Sequence, residues 1–394
     1  MKIISLVLFI ASFVGVALAA EWNCASTSGT FELSTDCTMT DQVLVSGDLA
    51  VTGNETVYST LTAASSKRHF KILSGAHTLR LKWLNMTAGG PVLGASILDH
   101  GGSIYVASAA AHLNISHCVF FNNHGLTGGA VFANGQRTLF FFSVLFESNS
   151  AMIGGALFLQ KSTFHGERNE FNKNTASVGA GGAMYIESST ATSSGSTFIK
   201  NTASNQGGGI WITGGSDPSR LDITRAILEE NKQVGNSTDG SEGGGGLYLS
   251  GNVTGNIREC TFLRNEATES TGGDIHGHQI MTYNGSSGTP SITLVNTNFT
   301  HIDGTANNFY GHDGSSGGTA KYIAPKNCGT NPCTVSPFAG TCTARTNTTY
   351  GVLCDLTGCP TGEFRNALEV TESMLPPPNP PSCSAWTSCT AGEY

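Results

Sequence analysis

Hydrophobic and polar positions repeat in one pattern between residues 113 and 274. An aromatic residue is followed, after two spacers, by an asparagine. A gap, a glycine pair and a short apolar run come next. The copies read FFNN…GGAVFA from Phe120 to Ala133, FESN…GGALFL from Phe146 to Leu159 and FNKN…GGAMYI from Phe171 to Ile186. They continue as FIKN…GGGIWI from Phe198 to Ile212 and LEEN…GGGLYL from Leu228 to Leu249, with a degraded FLRN…GGDIHG from Phe262 to Gly277. The motif asparagines are Asn123, Asn149, Asn174, Asn201, Asn231 and Asn265, at steps of 26, 25, 27, 30 and 34 residues. The longer steps coincide with polar, glycine-rich inserts, chiefly Lys232 to Glu242, and such inserts map to surface loops of a repeat array.

A unit of about 26 residues is too short for the usual two-helix repeats, which need roughly 33 or more. No window keeps a 3.6-residue period. Each unit instead holds two or three strands of three to five residues, rich in β-branched and aromatic side chains. That predicts one rung of a parallel β-helix, with like residues stacked on like about 4.8 Å apart.

Each part of the motif then has a mechanical task. The position three before the asparagine (Phe120, Phe146, Phe171, Phe198, Leu228, Phe262) is expected to point inward as a core column. The asparagine is expected at a turn, where it tolerates left-handed backbone and can bond the amides above and below it. The glycine pair permits positive φ at the next corner. In the strand that follows, Val131, Leu157, Met184, Ile210 and Leu247 form one column, and Ala133, Leu159, Ile186, Ile212 and Leu249 another. Alternation puts both on one face and Phe132, Phe158, Tyr185, Trp211 and Tyr248 on the other. The expected register has the aliphatic residues inward and an aromatic ladder outward, because Tyr and Trp favour one wet end. The opposite register satisfies the same alternation.

Residues 21–112 carry weaker alternations, such as Val43 to Val45, Leu79 to Leu81 and Ile104 to Val106. They are expected to be early coils, since terminal repeats of a solenoid are atypical. The domain plan is a signal peptide over 1–19, a β-helix over 20–325 with an N-terminal cap near 21–45, a cysteine-rich segment over 326–375 and a proline-rich linker over 376–394. The leader rests on Lys2, the apolar run Ile3 to Val16 and the small-x-small site Ala17-Leu18-Ala19. Such a leader implies export through the secretory pathway, to the cell surface or beyond it. The linker runs into Cys383 and Cys389, which read as the start of a truncated cysteine-rich repeat, so the chain is expected to be a fragment.

Charge and cysteine content narrow the picture further. Only 12% of residues are charged, against roughly 25% in average domains, and a net charge of −8 leaves no basic stripe for nucleic acid. Membrane attachment is expected only through sequence downstream of residue 394. The 11 cysteines of an exported chain read as a disulfide framework, with Cys24 and Cys37 paired across the cap. Cys118 and Cys260 occupy equivalent positions five residues before their asparagines, five rungs or about 24 Å apart. A disulfide needs Cα atoms within about 7 Å, so these two are expected to be inert and buried. Eight N-x-S/T sequons, at Asn54, Asn85, Asn114, Asn236, Asn252, Asn284, Asn298 and Asn347, are candidate glycosylation sites.

The paired FxxN and GGA-hydrophobic motifs resemble the repeats of the polymorphic outer membrane proteins of chlamydiae, within the pectin-lyase-like group. The resemblance covers about 160 residues firmly, from 113 to 277. It implies an all-β, right-handed parallel β-helix and a surface adhesin or passenger role. The final CSAWTSCTAGEY resembles the start of a eukaryotic cysteine-rich receptor-type repeat, and no segment after residue 300 resembles a β-barrel translocator.

Pectin-lyase-like folds also carry polysaccharide lyases and hydrolases. Such an enzyme needs convergent carboxylates with a His, Lys or Arg on one strand face. The nearest candidates are Asp274, His276 and His278, with His301, Asp303, His312 and Asp313 downstream. A polar terminal rung explains them more simply. Asp222, Arg225, Glu229 and Glu230 likewise read as solvated strand-end charges. The sequence therefore leans against an enzyme and implies no metal or other cofactor. The expectation is a non-catalytic β-helical surface or secreted protein in adhesion or extracellular recognition. Its candidate partners are an extracellular carbohydrate or a surface protein, and the aromatic ladder is the candidate binding surface. A carbohydrate-active enzyme of the pectin-lyase group is the alternative.

Overall fold

The computed structural model describes residues 19–72, 75–90, 100–107, 110–135, 137–235, 243–267, 280–283, 290–295 and 297–300, together with residue 288. It also describes the backbone of strands Phe309–His312, Thr319–Ile323, Thr341–Asn347, Gly351–Thr357 and Leu368–Thr371. The described residues form strands, turns and bends and no helix. Residues 1–18 of the expected leader lie outside them, as do Asp274, His276, His278, His301, Asp303 and Asp313.

The rung after Gly129 shows the plan. Its first strand is Val131–Asn134, its second Thr138–Phe142, its third Leu145–Glu147 and its fourth Ser150–Ile153. Four strands replace the expected two or three. The fourth is short and polar, only Thr175–Ala176 and Thr202–Ala203 in later rungs, and too brief to show a period. It also claims Lys232–Gln233, so the insert begins later than expected. Every strand pairs in parallel with its counterpart one rung on: Val131↔Leu157↔Met184↔Ile210↔Leu247 in the first position. Third strands form a ten-stranded parallel sheet from Cys37–Thr38 to Asn298–Thr300. The described residues between 20 and 112 are therefore coils of the same solenoid, as Leu49↔Leu79↔Leu113 shows.

The interior follows the expected columns. Phe120, Phe146, Phe171, Phe198, Leu228 and Phe262 are each 0% exposed. Four of their rings stack face to face, with centroids 4.9, 4.8 and 4.8 Å apart and planes within 5°. The rung spacing is the ring-stacking spacing, so the sheet sets this geometry without strain. Both aliphatic columns of the first strand are buried, which settles the register as aliphatic inward.

Beside the rings runs an asparagine ladder. Asn149 donates its backbone N–H and its side-chain Nδ2 to Asn174 Oδ1, both at 3.0 Å. The same pair of bonds links Asn123 to Asn149, Asn174 to Asn201, Asn201 to Asn231 and Asn231 to Asn265, at 2.8–3.1 Å. Each Nδ2 also donates to the carbonyl of an aromatic-column residue one rung back, as Asn174 does to Phe146 O at 2.9 Å. All six asparagines are fully buried and fully used. The left-handed residue is not the asparagine. It is the one before it: Asn122, Ser148, Lys173, Lys200, Glu230 and Arg264, at φ 50–56°. An asparagine whose N–H and amide both point along the stack needs the chain to have turned already, and a solvent-facing neighbour takes the strain.

At the other end of the rung the first glycine of each pair carries the positive φ, +64° at Gly154 and +71° at Gly181. The second allows close stacking: a Cβ on Gly155 would lie 2.0 Å from Gly182 O. In the GGG copies the strand register places Gly209 and Gly246 opposite Ala183, so the pairs are Gly207-Gly208 and Gly244-Gly245.

Cys24 and Cys37 form the expected disulfide in the cap, with Cα atoms 6.5 Å apart. Cys118 and Cys260 are free and buried, and burial pushes their thiols up to about 12 and about 11. The tail is not wholly irregular. Thr341–Asn347 and Gly351–Thr357 pair antiparallel, and Leu368–Thr371 pairs parallel with Thr319–Ile323.

Candidate functional site

The outward residues of the first strand form the expected ladder and extend it by one rung. Ring centroids run Tyr105–Phe132 5.3 Å, Phe132–Phe158 5.1 Å, Phe158–Tyr185 4.7 Å and Tyr185–Trp211 4.2 Å. His100 lies against Phe132 at 4.6 Å, and Arg68 sits over Tyr105 at 5.2 Å. The ladder is not an open platform. Phe132, Phe158 and Tyr248 are 5%, 7% and 2% exposed, which leaves Tyr105, Tyr185 and Trp211 as its half-buried part. Burial, with Glu187 close by, raises the Tyr185 hydroxyl above its ordinary pKa. Trp211 Nε1 is enclosed without a hydrogen-bond partner.

The open aromatic surface is on the second strand. The run Leu139 to Phe142 alternates in the same way: Leu139 and Phe141 face the core, while Phe140, 47% exposed, faces out. The His165 ring stacks on Phe140 at 5.0 Å, with planes 17° apart, and its Nδ1 lies 2.9 Å from Thr192 Oγ1. Beside this pair opens a groove of about 440 Å³. Asn114, Phe142, Gly166, Glu167, Ser194 and Arg225 line it. Arg225 Nη2 donates to Ser194 Oγ at 3.4 Å. The sequence holds this signal in the alternation of Leu139 to Phe142, but without the recurrence that marks the GG-strand aromatics of the neighbouring face, present in five consecutive copies.

Other strand-end charges are paired. Asp222 accepts from Arg220 Nε at 2.7 Å and from Asn256 Nδ2 at 2.6 Å. Arg264 bridges Glu229 and Glu230, and that guanidinium holds the Glu230 carboxyl below its usual range. Among the described residues no three His, Cys, Asp or Glu side chains gather as a metal site. No helix of the described residues is long and apolar enough to cross a membrane. Of the sequons, Asn54, Asn114 and Asn252 are exposed, while Asn85 is half-buried with its Oδ1 enclosed and unbonded. Asn236 and Asn284 lie outside the described residues, as do the side chains of Asn298 and Asn347.

Residues 195–213 match the family model of the Chlamydia polymorphic membrane protein repeat. This span runs from the turn before Phe198, through Asn201 and the Gly207-Gly208 corner, to Thr213, and so holds one copy of each half-motif. No curated protein and no solved structure matches the chain. The described residues form a parallel β-helix, and residues 195–213 within it are similar to the repeat of the polymorphic membrane proteins.

Proposed function

We propose that this is an exported, non-catalytic β-helical protein of the cell surface or extracellular space, acting in adhesion or extracellular recognition. The observation that carries the reading is the match of residues 195–213 to the repeat of the Chlamydia polymorphic membrane proteins, set in a solenoid whose described interior is filled by apolar columns and an asparagine ladder. The exposed aromatic pair and polar groove on the second strand give such a protein a recognition surface. Saccharide rings and protein side chains both suit it. Expression of the full chain in a secretory host tests the reading. Cleavage after Ala19 and recovery in the medium or at the cell surface are expected. Retention in the cytosol with Met1 intact overturns it.

The second reading, a polysaccharide lyase or hydrolase, draws support from the same groove, because Glu167, His165 and Arg225 all line it. Turnover of acidic polysaccharides that is lost in Glu167→Gln favours the enzyme. Absence of turnover by the secreted protein favours recognition.

A further inference from the structure

The two-ring stack on the second strand stops one rung short of a sequon. In the parallel register Asn114 pairs with Phe140, and Phe140 with His165, so the three side chains stand in one outward column. His165 covers one face of Phe140. The other face looks toward the Asn114 position, and Phe140 is 47% exposed. Beyond Asn114 the column continues to Arg80, also exposed. Asn114 begins Asn114-Ile115-Ser116, is itself exposed and lines the groove that runs past Phe142 to Glu167, Ser194 and Arg225.

We propose that Asn114 carries an N-linked glycan whose first N-acetylglucosamine stacks on Phe140, as the third ring of the Phe140–His165 column. The proposal rests on export through a glycosylating secretory pathway, as in the preceding section. Rungs about 4.8 Å apart put like positions at ring-stacking distance, and a sugar attached at Asn114 falls in the next slot of that stack. The apolar C–H face of the pyranose meets the electron-rich face of the phenyl ring. Attachment to the adjacent strand makes the contact intramolecular, so its effective concentration is high. Glu167, Ser194 and Arg225 offer hydrogen-bonding groups to the sugars that follow along the groove.

The test uses the full chain secreted from a eukaryotic host. Enzymatic release of glycans in heavy-oxygen water, followed by peptide mapping, reads occupancy at each sequon. Melting temperatures are then compared for the parent and Asn114→Gln, in both the Phe140 and the Phe140→Ala backgrounds. Asn114 is expected to be occupied. Its glycan is expected to raise the melting temperature by about 2–4 °C, and to retain that effect when trimmed to a single N-acetylglucosamine. In Phe140→Ala the difference between Asn114 and Asn114→Gln is expected to fall below about 1 °C. An unmodified Asn114 beside glycosylated Asn54 and Asn252 overturns the inference and leaves export standing. So does a groove that binds free saccharide with Asn114 unmodified, or a glycan effect of the same size in both backgrounds. Failure of secretion itself overturns the reading on which the inference rests.

Discussion

Residues 20–90 and residues 113–267 build the same solenoid from different interiors. In the repeat region a phenylalanine occupies the inward site of the third strand in rung after rung, and an asparagine closes the corner. In the early rungs the inward residues are Leu61 and Met86, and Gly89 stands where the asparagine would be. The backbone turn is unchanged: Ala88 takes φ +59°, like the residues before the motif asparagines. The ladder ends there, with Gly89 N donating to Asn123 Oδ1 at 2.9 Å. Buried polarity in the early rungs is met singly instead. His69 is 0% exposed, with Nε2 2.9 Å from Leu61 O and Nδ1 2.9 Å from Ser103 Oγ. Parallel pairing and alternation suffice for the fold, then, and the motif is one interior solution that propagates because each rung completes the hydrogen bonds of its neighbour.

That account is most exposed at the centre of the ladder. Asn174 Oδ1 accepts two bonds from Asn149, and Asn174 Nδ2 donates to Phe146 O and to Asn201. Asn174→Ala removes all of these and leaves a buried N–H and a buried carbonyl without those partners. At about 0.5–1.5 kcal/mol for each net bond and about 1–3 kcal/mol for each orphaned group, the expected loss is about 4 kcal/mol in urea unfolding. A loss below about 1 kcal/mol would show that the ladder merely accompanies the ring stack.

The next test separates the regions by pH. Burial holds the His69 imidazole down to about 4, from an ordinary 6.5, against its hydrogen bonds to the backbone of Leu61 and Thr87, which pull it up. The native state thus refuses a proton that the unfolded chain takes up. Stability present above pH 6.5 is lost as the pH falls through about 4, a change of about 3 kcal/mol. Asparagine amides carry no such dependence. Hydrogen exchange on moderate acidification is expected to open the rungs around His69 before those around Asn174, and His69→Gln is expected to flatten the slope. Equal acid sensitivity in both regions would contradict this.

The sequence carried most of what propagates and little of what does not. Phe171 and Asn174 were legible because each recurs with its neighbours, and recurrence at a fixed step makes packing visible as a pattern. The left-handed residues were not, because Asn122, Ser148, Lys173 and Glu230 share no side-chain chemistry and only the backbone repeats. Four strands per rung were missed because a strand of two residues has no period. The outward ladder was placed on its correct face, yet its burial depends on neighbours such as His100 that recur nowhere. Phe140, His165 and Asn114 form a column only in three dimensions. Their identities differ, so no motif marks them, and the register that joins them had to be seen.

Asn169 sharpens the contrast within the repeat region itself. It lies at the other corner of the rung, in a column with Cys118, Val144, Ser196, Ala226 and Cys260. Its Oδ1 accepts from Val144 N at 3.0 Å, and its Nδ2 donates to Phe141 O at 3.1 Å. Asn169 N–H also donates to Ser196 Oγ at 3.1 Å, but no side-chain amide stands on either side, at Val144 or Ser196, to continue a ladder. Asn169→Ala is expected to cost about 2 kcal/mol, half the Asn174 effect, since fewer groups lose partners. A cost equal to that of Asn174→Ala would mean that continuity along the stack adds nothing.

The smallest effect is expected in the ring stack, and the chain itself gives the reason. Phe171 lies between Phe146 and Phe198, 4.8 Å from each, with planes within 5°. Two rungs on, Leu228 occupies the same column at 0% exposure, and the pairing runs through it undisturbed to Phe262. The column therefore accepts a leucine where the rungs can close around it. Phe171→Leu keeps the apolar contact and gives up the two stacked contacts, each worth about 0.5–1.5 kcal/mol, while leucine packing restores part of that loss. The expected net cost is about 1 kcal/mol by urea unfolding, well under that of Asn174→Ala three residues away. A Phe171→Leu cost above that of Asn174→Ala would reverse the order of the two columns, making stacked rings rather than shared amides the reason the motif propagates.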